Sequence, residues 1–356
     1  MSIIESLLSR AREKGASDIH LIPGLPPVLR IDGRIVPQEI GGIAGVGTDS
    51  ASLTRSLLNP RQWEELQKER HLGFALMFPG VGRVRVEAFY SMGQLGAAIR
   101  LAAIEPPRLE DLGAPPVLES LTRSPAGLVL VTGPTGAGKT TTLNAMVDFV
   151  NRERSCKIIT IEDPIEFVHR PKRSVIVQQE VHDDTPAFAT ALIHVLRQDP
   201  DVIVVGEMRS LDTIQTALTA AETGHLVLAT LHTNNAAQTV DRIVDVFPPH
   251  QQNQVRVQLA ASLDAILSQR LLPRVDGKGR VLACEMLVNC PAVRNIIRDN
   301  RTQQLASTMQ SNADLGMCTM DSSVLKLYHA GIISYDTARD HLENPSQLDR
   351  RGGSGL

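Results

Sequence analysis

The spacing of hydrophobic and polar residues changes character near residue 118. The first part opens with an apolar helical stripe and a glycine in a helix-stop position: Ile3, Ile4, Leu7, Leu8 and Gly15. In PPVLRIDGRIVP, Asp32 and Gly33 stand at the centre of a two-residue hairpin turn. Residues 48–70 have helical spacing, whereas residues 82–90 alternate like a half-buried strand. These patterns predict a small α+β domain over residues 1–103.

Continuous apolar runs replace this mixture in the second part: GLVLVTG, KIITIED, DVIVVGE and HLVLATLH. Such runs are typical of strands buried on both faces of a parallel sheet, so residues 119–348 are predicted to form an α/β core. Beyond residue 249 the spacing predicts one long helix with the apolar positions Val255, Leu259, Leu263, Ile266 and Leu267. We expect a hairpin around Asp276 and Gly277, then short helices, and a disordered tail at 349–356.

A proline-rich segment separates the two parts. IEPPRLEDLGAPP begins at residue 104 and interrupts both periodicities. We therefore place an interdomain linker at residues 104–118. The length of 356 residues also exceeds what one hydrophobic core usually supports, which favours two domains.

Composition narrows the function classes. The chain has 36 basic and 39 acidic residues, so its net charge of −3 gives no general attraction to nucleic acid or anionic lipid. No CxxC pair occurs among the four cysteines, which we interpret as small buried residues in a reducing compartment: Cys156, Cys284, Cys290 and Cys318. The N-terminal stripe carries charges, unlike a signal peptide, and no apolar run approaches the roughly 18 residues of a membrane span. A cytoplasmic location is predicted.

The stretch from Gly133 to Thr140 matches the P-loop pattern G-x4-G-K-[ST]. A buried strand before it and a helical segment after it place backbone N–H groups at a helix N-terminus, which attracts phosphate. Lys139 is expected to reach the β- and γ-phosphates, and Thr140 to bind Mg²⁺. The predicted nucleotide-binding residues are Gly133, Pro134, Thr135, Gly136, Ala137, Gly138, Lys139, Thr140 and Thr141. The alternative, a glycine-rich turn that binds nothing, does not explain this context.

Two acidic clusters follow predicted strands. DPDVIVVGE ends in Glu207, the usual position of a metal-side acid, although Gly206 stands where many P-loop enzymes have aspartate. ITIEDPIEF contributes Glu162, Asp163 and Glu166. Because ligands bind at the carboxyl edge of a parallel sheet, both clusters are expected to lie near the P-loop. Mg²⁺ would be held by Thr140, Glu162, Asp163 and Glu207, through water where they are not direct ligands. Solvated strand ends are the alternative interpretation.

Two histidines flank the strand HLVLATLH, His225 before it and His232 at its end. A single histidine is more often structural than catalytic, and this alternative stays open for both. His232 is the stronger catalytic candidate because it lies at the carboxyl end beside Thr233 and Asn234. There it could sense the γ-phosphate.

Taken in order, four elements resemble the motifs of the secretion ATPase superfamily of type II secretion and type IV pili: the P-loop, ITIEDPIEF, DPDVIVVGEMR and AAETGHLVLATLHTNNAAQTVDRIVDVFP. Residues 15–35 are similar to its N-terminal PAS-like domain, so the resemblance covers nearly the whole chain. It implies an α/β fold, with a RecA-like P-loop ATPase core and a smaller N-terminal PAS-like α+β domain.

Within this superfamily the chain is most similar to the pilus retraction ATPases. Assembly and type II secretion ATPases typically carry a paired CxxC zinc insertion, and no such pair occurs here. AVRNIIR, from Ala292 to Arg298, is similar to the AIRNLIRE segment of retraction motors. An ordinary short amphipathic helix is the alternative interpretation of this segment.

The resemblance implies a homohexameric ring that uses ATP and Mg²⁺ and docks peripherally at the inner membrane. Its implied partner is the platform protein of the type IV pilus machine, with a second retraction ATPase as a candidate; no nucleic acid is expected. It also implies arginines that act across subunits. Arg83, Arg85 and Arg100 are the candidates, and Arg85 and Arg100 the preferred ones, with surface ion pairs as the alternative. Met92 stands where many relatives have arginine, which is a departure from the pattern.

The expected mechanism is hydrolysis with Glu207 orienting or deprotonating water, assisted by Glu162. Loss of the γ-phosphate would release Arg85, Arg100 and His232, and the domains would then rotate about the linker. Three alternatives remain: a pilus-assembly or secretion motor of the same superfamily, a RecA-like motor on DNA, and an accessory scaffold that binds ATP without hydrolysis. An aromatic content of 3% disfavours the DNA motor, which needs stacking side chains.

Overall fold

The computed structural model describes residues 2–31, 34–37, 49–101 and 105–349. The chain divides into two compact units, residues 1–105 with 166–168, and residues 106–165 with 169–356. The domain boundaries and the linker at 104–118 stay predictions, although Leu109 and Leu118 are buried in a core of the second unit. The predicted turn residues Asp32 and Gly33, and the predicted tail beyond residue 349, lie outside the described part of the chain.

The first unit is an antiparallel sheet with helices packed on it. In chain order the elements are α1 (Ile3–Glu13), β1 (Ala16–Leu21), β2 (Val28–Ile31), β3 (Arg34–Pro37), α2 (Ser50–Ser56), α3 (Pro60–Glu69), β4 (His71–Phe78), β5 (Gly82–Ser91) and β6 (Gln94–Leu101). The strand order in the sheet is β3-β2-β1-β6-β5-β4. One apolar core joins the helices to the sheet.

Local sequence explains the helix bounds in this unit. A capping box between Ser2 and Glu5 starts α1, in agreement with the predicted stripe. The prediction of one helical segment over residues 48–70 was wrong in detail, because two helices form there. Asn59 caps α3 and Pro60 is its first residue; a residue before proline disfavours helical backbone, so α2 cannot continue through Asn59.

The second unit alternates strands with helices, with short 3₁₀ turns at Leu109–Leu112, Thr302–Gln304 and Ala313–Leu315. Its elements are α4 (Val117–Thr122), β7 (Gly127–Thr132), α5 (Lys139–Glu153), β8 (Lys157–Glu162), β9 (Val175–Glu180), α6 (Phe188–Val195), β10 (Val202–Val205), α7 (Leu211–Glu222), β11 (Leu226–Leu231), α8 (Ala236–Asp245), α9 (Pro249–Ser262), β12 (Leu263–Pro273), β13 (Arg280–Val288), α10 (Pro291–Arg298), α11 (Leu305–Ser311), α12 (Met320–His329), α13 (Tyr335–His341) and α14 (Ser346–Asp349).

These strands form one sheet in the order β13-β12-β7-β11-β10-β8-β9. All neighbours pair in parallel except β12 and β13, which form an antiparallel hairpin. Apolar cores cover both faces of the sheet, which is why the central strands read as continuous apolar runs. The predicted α/β class is confirmed.

The prediction of one long helix after residue 249 was wrong. Helix α9 ends at Ser262, and Leu263, Ile266 and Leu267 lie on β12, which pairs with both β7 and β13. A central strand is buried on both faces, so nearly all its positions are apolar and their spacing does not separate strand from helix. The predicted hairpin does form, between β12 and β13.

None of the described helices is long and apolar enough to cross a membrane.

Candidate nucleotide-binding site

Four parallel neighbours in the second unit, β7, β11, β10 and β8, end at the same edge of the sheet. The P-loop follows β7, His232 follows β11, Glu207 follows β10, and Glu162 is the last residue of β8. Parallel pairing therefore brings these polar residues, separated in sequence, to one edge.

The P-loop depends on glycines where the backbone turns. Gly136 and Gly138 have φ of 81° and 87°, and Gly138 directly precedes α5, which begins at Lys139. Gly133 has φ of 142°, and a Cβ atom there would lie 2.4 Å from the backbone oxygen of Gln269. The loop consequently leads into the positive end of the α5 dipole, where phosphate is favoured.

Lys139, His232 and Glu207 form a continuous chain of polar contacts. The Lys139 Nζ donates to the backbone oxygens of Gly133 (2.8 Å) and Pro134 (3.1 Å) and lies 3.3 Å from His232 Nδ1. On the other side of the ring, His232 Nε2 lies 3.2 Å from Glu207 Oε1. An ammonium group only donates, so Nδ1 accepts and Nε2–H donates to the carboxylate. This arrangement suits a neutral imidazole.

Burial lowers the pKa of Lys139, and the nearby Glu207 carboxylate partly opposes the shift. Glu207 also binds Arg209, and that ion pair raises the pKa of the arginine. Arg209 was not predicted as a site residue; its signal was its position two residues after Glu207 in GEMR. The Glu207 carboxylate therefore contacts Arg209 and His232 and lies near the P-loop lysine, Lys139.

Glu162 is buried and hydrogen bonded. Its Oε1 accepts from Thr160 Oγ1 at 2.6 Å and from Gln178 Nε2 at 3.0 Å. Strand β9, which carries Gln178, was absent from the sequence-based prediction. Asp163 directly follows β8, whereas Glu166 belongs to the segment that groups with the first unit.

The oxygen donors suit a magnesium–nucleotide complex better than an isolated metal. Across the described ranges, no cluster of three or more histidine, cysteine or acidic side chains could hold a metal ion. Mg²⁺ usually needs only one or two carboxylates, with substrate phosphates and water as its other ligands. Thr140 on α5 together with one or two of the strand-end carboxylates of Glu162, Asp163 and Glu207 would meet that requirement.

The two preferred arginines lie opposite each other on β5 and β6 of the first unit. Arg100 donates to Asp18 Oδ1 at 2.9 Å, and Arg85 to Glu87 Oε1 at 3.1 Å. Although burial opposes the change, hydrogen bonds from Arg100 and Ser17 lower the pKa of Asp18. Both guanidinium groups stay substantially exposed, so both the ion-pair and the catalytic interpretations remain available.

The structure places His225 and His232 at opposite ends of β11. His225 precedes β11, at the end of the strand away from the P-loop, and its Nδ1 lies 3.0 Å from the backbone oxygen of Ala220. That contact favours the structural interpretation for His225. Met92 is fully exposed in the turn between β5 and β6, with φ of 51°.

Comparison with known proteins agrees with this geometry. A family described as type II/IV secretion system protein matches residues 113–313. The type IV pilus retraction ATPase PilT of Pseudomonas aeruginosa is 44% identical over 345 residues, which cover 97% of this chain and 99% of that protein. A twitching motility protein of Neisseria gonorrhoeae is also 44% identical, over 97% of this chain and 92% of its own length.

A crystal structure of the pilus retraction motor PilT with bound ADP has a TM-score of 0.89 to this chain at 46% identity, and it covers 98% of this chain and 99% of its own. The match confirms the predicted fold class, a RecA-like core with a smaller N-terminal domain. The chain belongs to the type II/IV secretion system protein family and, within it, to the secretion ATPases.

Proposed function

We propose that this protein is a Mg-ATP-hydrolysing motor that drives type IV pilus retraction and twitching motility. The observation that carries the proposal is 44% identity to a pilus retraction ATPase over 97% of the chain, combined with a complete P-loop. The Lys139–His232–Glu207 chain supports hydrolysis rather than nucleotide binding alone, because a carboxylate and a sensing histidine adjoin the phosphate-binding lysine.

In the proposed reaction, the P-loop from Gly133 to Thr141 holds the phosphates, and Glu207 orients or deprotonates the attacking water. Mg²⁺ would neutralise charge on the β- and γ-phosphates, held by the Thr140 hydroxyl with Glu162, Asp163 and Glu207. His232 donates to Glu207 through Nε2, so a change in the γ-phosphate beside Lys139 would be felt at both residues. Movement of the contacting residues Lys139, His232 and Glu207 would pass to α8, which begins at Ala236.

The proposed assembly is a homohexamer in which Arg85 and Arg100 reach the nucleotide of a neighbouring subunit. Exposed guanidinium groups side by side on β5 and β6 support this role, since phosphoryl transfer requires positive charge near the γ-phosphate. Mixed Arg100→Ala and Lys139→Ala subunits should recover part of the ATPase activity if Arg100 acts across subunits. No recovery at any mixing ratio would contradict that role.

The proposed partner is the platform protein of the type IV pilus machine, with the motor cytoplasmic and docked at the inner membrane. A second retraction ATPase is a further candidate partner. Hydrolysis would loosen the subunit interface and let the domains rotate about the linker at 104–118, which converts phosphate release into a mechanical stroke. Nucleic acid has no part in this scheme.

Deletion of the gene in the source organism, with complementation by wild type or Lys139→Ala, tests the proposal. Excess surface pili with lost twitching, rescued by wild type but not by Lys139→Ala, would establish a retraction motor. Bald cells would instead indicate an assembly motor. Unchanged pili would overturn the pilus function.

A further inference from the structure

His169 is a buried residue of the second unit that the proposed reaction does not yet use. It follows the acidic segment after β8, and only 7% of it is exposed. Its side chain contacts α5 and its backbone contacts β9, so one residue joins the helix of the P-loop to the strand beside Glu162. Histidine is polar and costly to bury, which makes its hydrogen bonds informative.

The hydrogen bonds determine which nitrogen of the His169 ring carries the proton. Asn144 Nδ2 donates to the backbone oxygen of Thr140 at 2.9 Å, so Asn144 Oδ1 is an acceptor. His169 Nε2 lies 2.7 Å from that oxygen and must therefore carry the proton. Burial lowers the pKa of His169 to about 4, which keeps the ring neutral at pH 7. The ring is the Nε2–H tautomer, with an unprotonated Nδ1.

The backbone of His169 determines the orientation of Gln178 in the same way. The His169 N–H donates to Gln178 Oε1 at 2.8 Å, so the amide nitrogen of Gln178 faces the other way. That nitrogen donates to Glu162 Oε1 at 3.0 Å. The chain of contacts thus runs from Thr140 through Asn144, His169 and Gln178 to Glu162.

The sheet itself does not connect Thr140 directly with Glu162. Strands β11 and β10 lie between β7, which leads into the P-loop, and β8, which ends at Glu162. We propose that His169 is a positioning residue for ATP hydrolysis. It fixes the position of the Glu162 carboxylate relative to the Thr140 end of α5. This inference rests on the proposed roles of Thr140 and Glu162 at Mg²⁺. Loss of a direct hydrogen-bond partner of a metal ligand typically changes metal affinity or activity by about 10–100-fold. Gln178 is such a partner of Glu162, and His169 acts one residue further out, so an effect at the lower end is expected.

The test compares His169→Leu, which has no donor, with His169→Gln, whose amide nitrogen can take the place of Nε2–H. Each variant is assayed for kcat and KM, and for binding of a fluorescent ADP with and without Mg²⁺. His169→Leu should lower kcat about 10-fold and reduce the gain in ADP affinity from Mg²⁺ about 10-fold, with ADP affinity in EDTA unchanged. His169→Gln should restore both toward wild type.

His194→Leu, the same substitution at an exposed position on α6, is the matched control. A His169→Leu variant with wild-type kcat and wild-type Mg²⁺ dependence would overturn the inference. If that variant does not fold, ¹⁵N NMR of the wild type decides the matter, because an Nδ1–H tautomer would contradict the hydrogen-bond chain.

Glu162→Gln separates this inference from the proposed function. If Glu162→Gln keeps both kcat and Mg²⁺ dependence, the proposed role of Glu162 fails and the inference fails with it. If Glu162→Gln loses both while His169→Leu loses neither, only the role of His169 fails.

Discussion

Replacement of Gly133 by alanine tests whether the P-loop geometry depends on the close approach of β12. The added Cβ would lie 2.4 Å from the backbone oxygen of Gln269 and 3.1 Å from the Cβ of Ala137. Gln269 pairs with Cys284 of β13, and the residue before it, Ser268, pairs with Thr132 of β7, so the sheet restrains its carbonyl. The P-loop must therefore move, by at least the difference between 3.0 Å, the closest approach that real Cβ atoms tolerate, and 2.4 Å.

The magnitude follows from two separate costs. A side chain at φ of 142° costs about 1–3 kcal/mol of stability. A misplacement approaching 1 Å at a catalytic site costs about 100-fold in rate, or about 2.7 kcal/mol of transition-state stabilisation. Gly133→Ala should therefore lower kcat/KM for ATP about 100-fold and lower the Tm by about 2–4 °C for each kcal/mol of lost stability.

The assay is phosphate release at varied ATP concentration, with a thermal melt of each protein. Gly224→Ala is the matched control, because Gly224 has φ of 104° but nothing within 4 Å of its added Cβ. The control should lose stability through backbone strain and keep wild-type kcat/KM. A kcat/KM of Gly133→Ala within about threefold of wild type would refute the reasoning. It would mean that the P-loop had stayed in place and that β12 had moved instead.

Three further outcomes are expected. Glu207→Gln should keep ATP binding and lower kcat about 10²–10⁴-fold, since a general base would be lost; full turnover in a phosphate-release assay would contradict its role. Burial raises the pKa of Asp264 to about 6 from 3.8, so its ionisation weakens the folded state as pH rises through this range. Asp264→Asn should therefore raise the free energy of unfolding by about 1 kcal/mol at pH 8 but not at pH 4, the gain being small because the group is partly exposed. Equal Tm shifts at both pH values would exclude this cause. Glu285 accepts the N–H of Ala236 at 2.7 Å at the start of α8, so Glu285→Ala should cost about 1–3 kcal/mol in chemical denaturation, and an unchanged midpoint would contradict this capping role.

Sequence patterns predicted most of the elements whose structure depends on near neighbours, although they missed the break between α2 and α3. The apolar runs predicted β7, β8, β10 and β11, because strands covered on both faces need apolar side chains at every position. The same property concealed β12, whose leucines and isoleucine also match helical spacing. These residues form a strand and not a helix because the edge of β7 was free to pair with them. The spacing of apolar residues contains no information about such a free edge.

The candidate site divides in the same way. The P-loop, Glu207, Glu162 and His232 were predicted because each occupies a recognisable position after a strand, and their catalytic roles stay predictions. Gln178, Asn144 and His169 were missed because nothing in their local sequence marks them as partners of those residues. Arg209 was missed although it stands only two residues after Glu207.

By itself the sequence determined the P-loop, the two-part α/β character and four strands of the parallel sheet, namely β7, β8, β10 and β11. These follow from backbone preferences and apolar periodicity, which act over a few residues. Only the tertiary structure decided which strands are neighbours, that Leu263 begins a strand, and which atoms of His169 and His232 donate. Those choices depend on hydrogen-bond partners from distant segments: Asn144 lies 25 residues from His169, and Lys139 lies 93 residues from His232. A buried polar group must find such a partner wherever the fold places one, and local sequence does not encode that location.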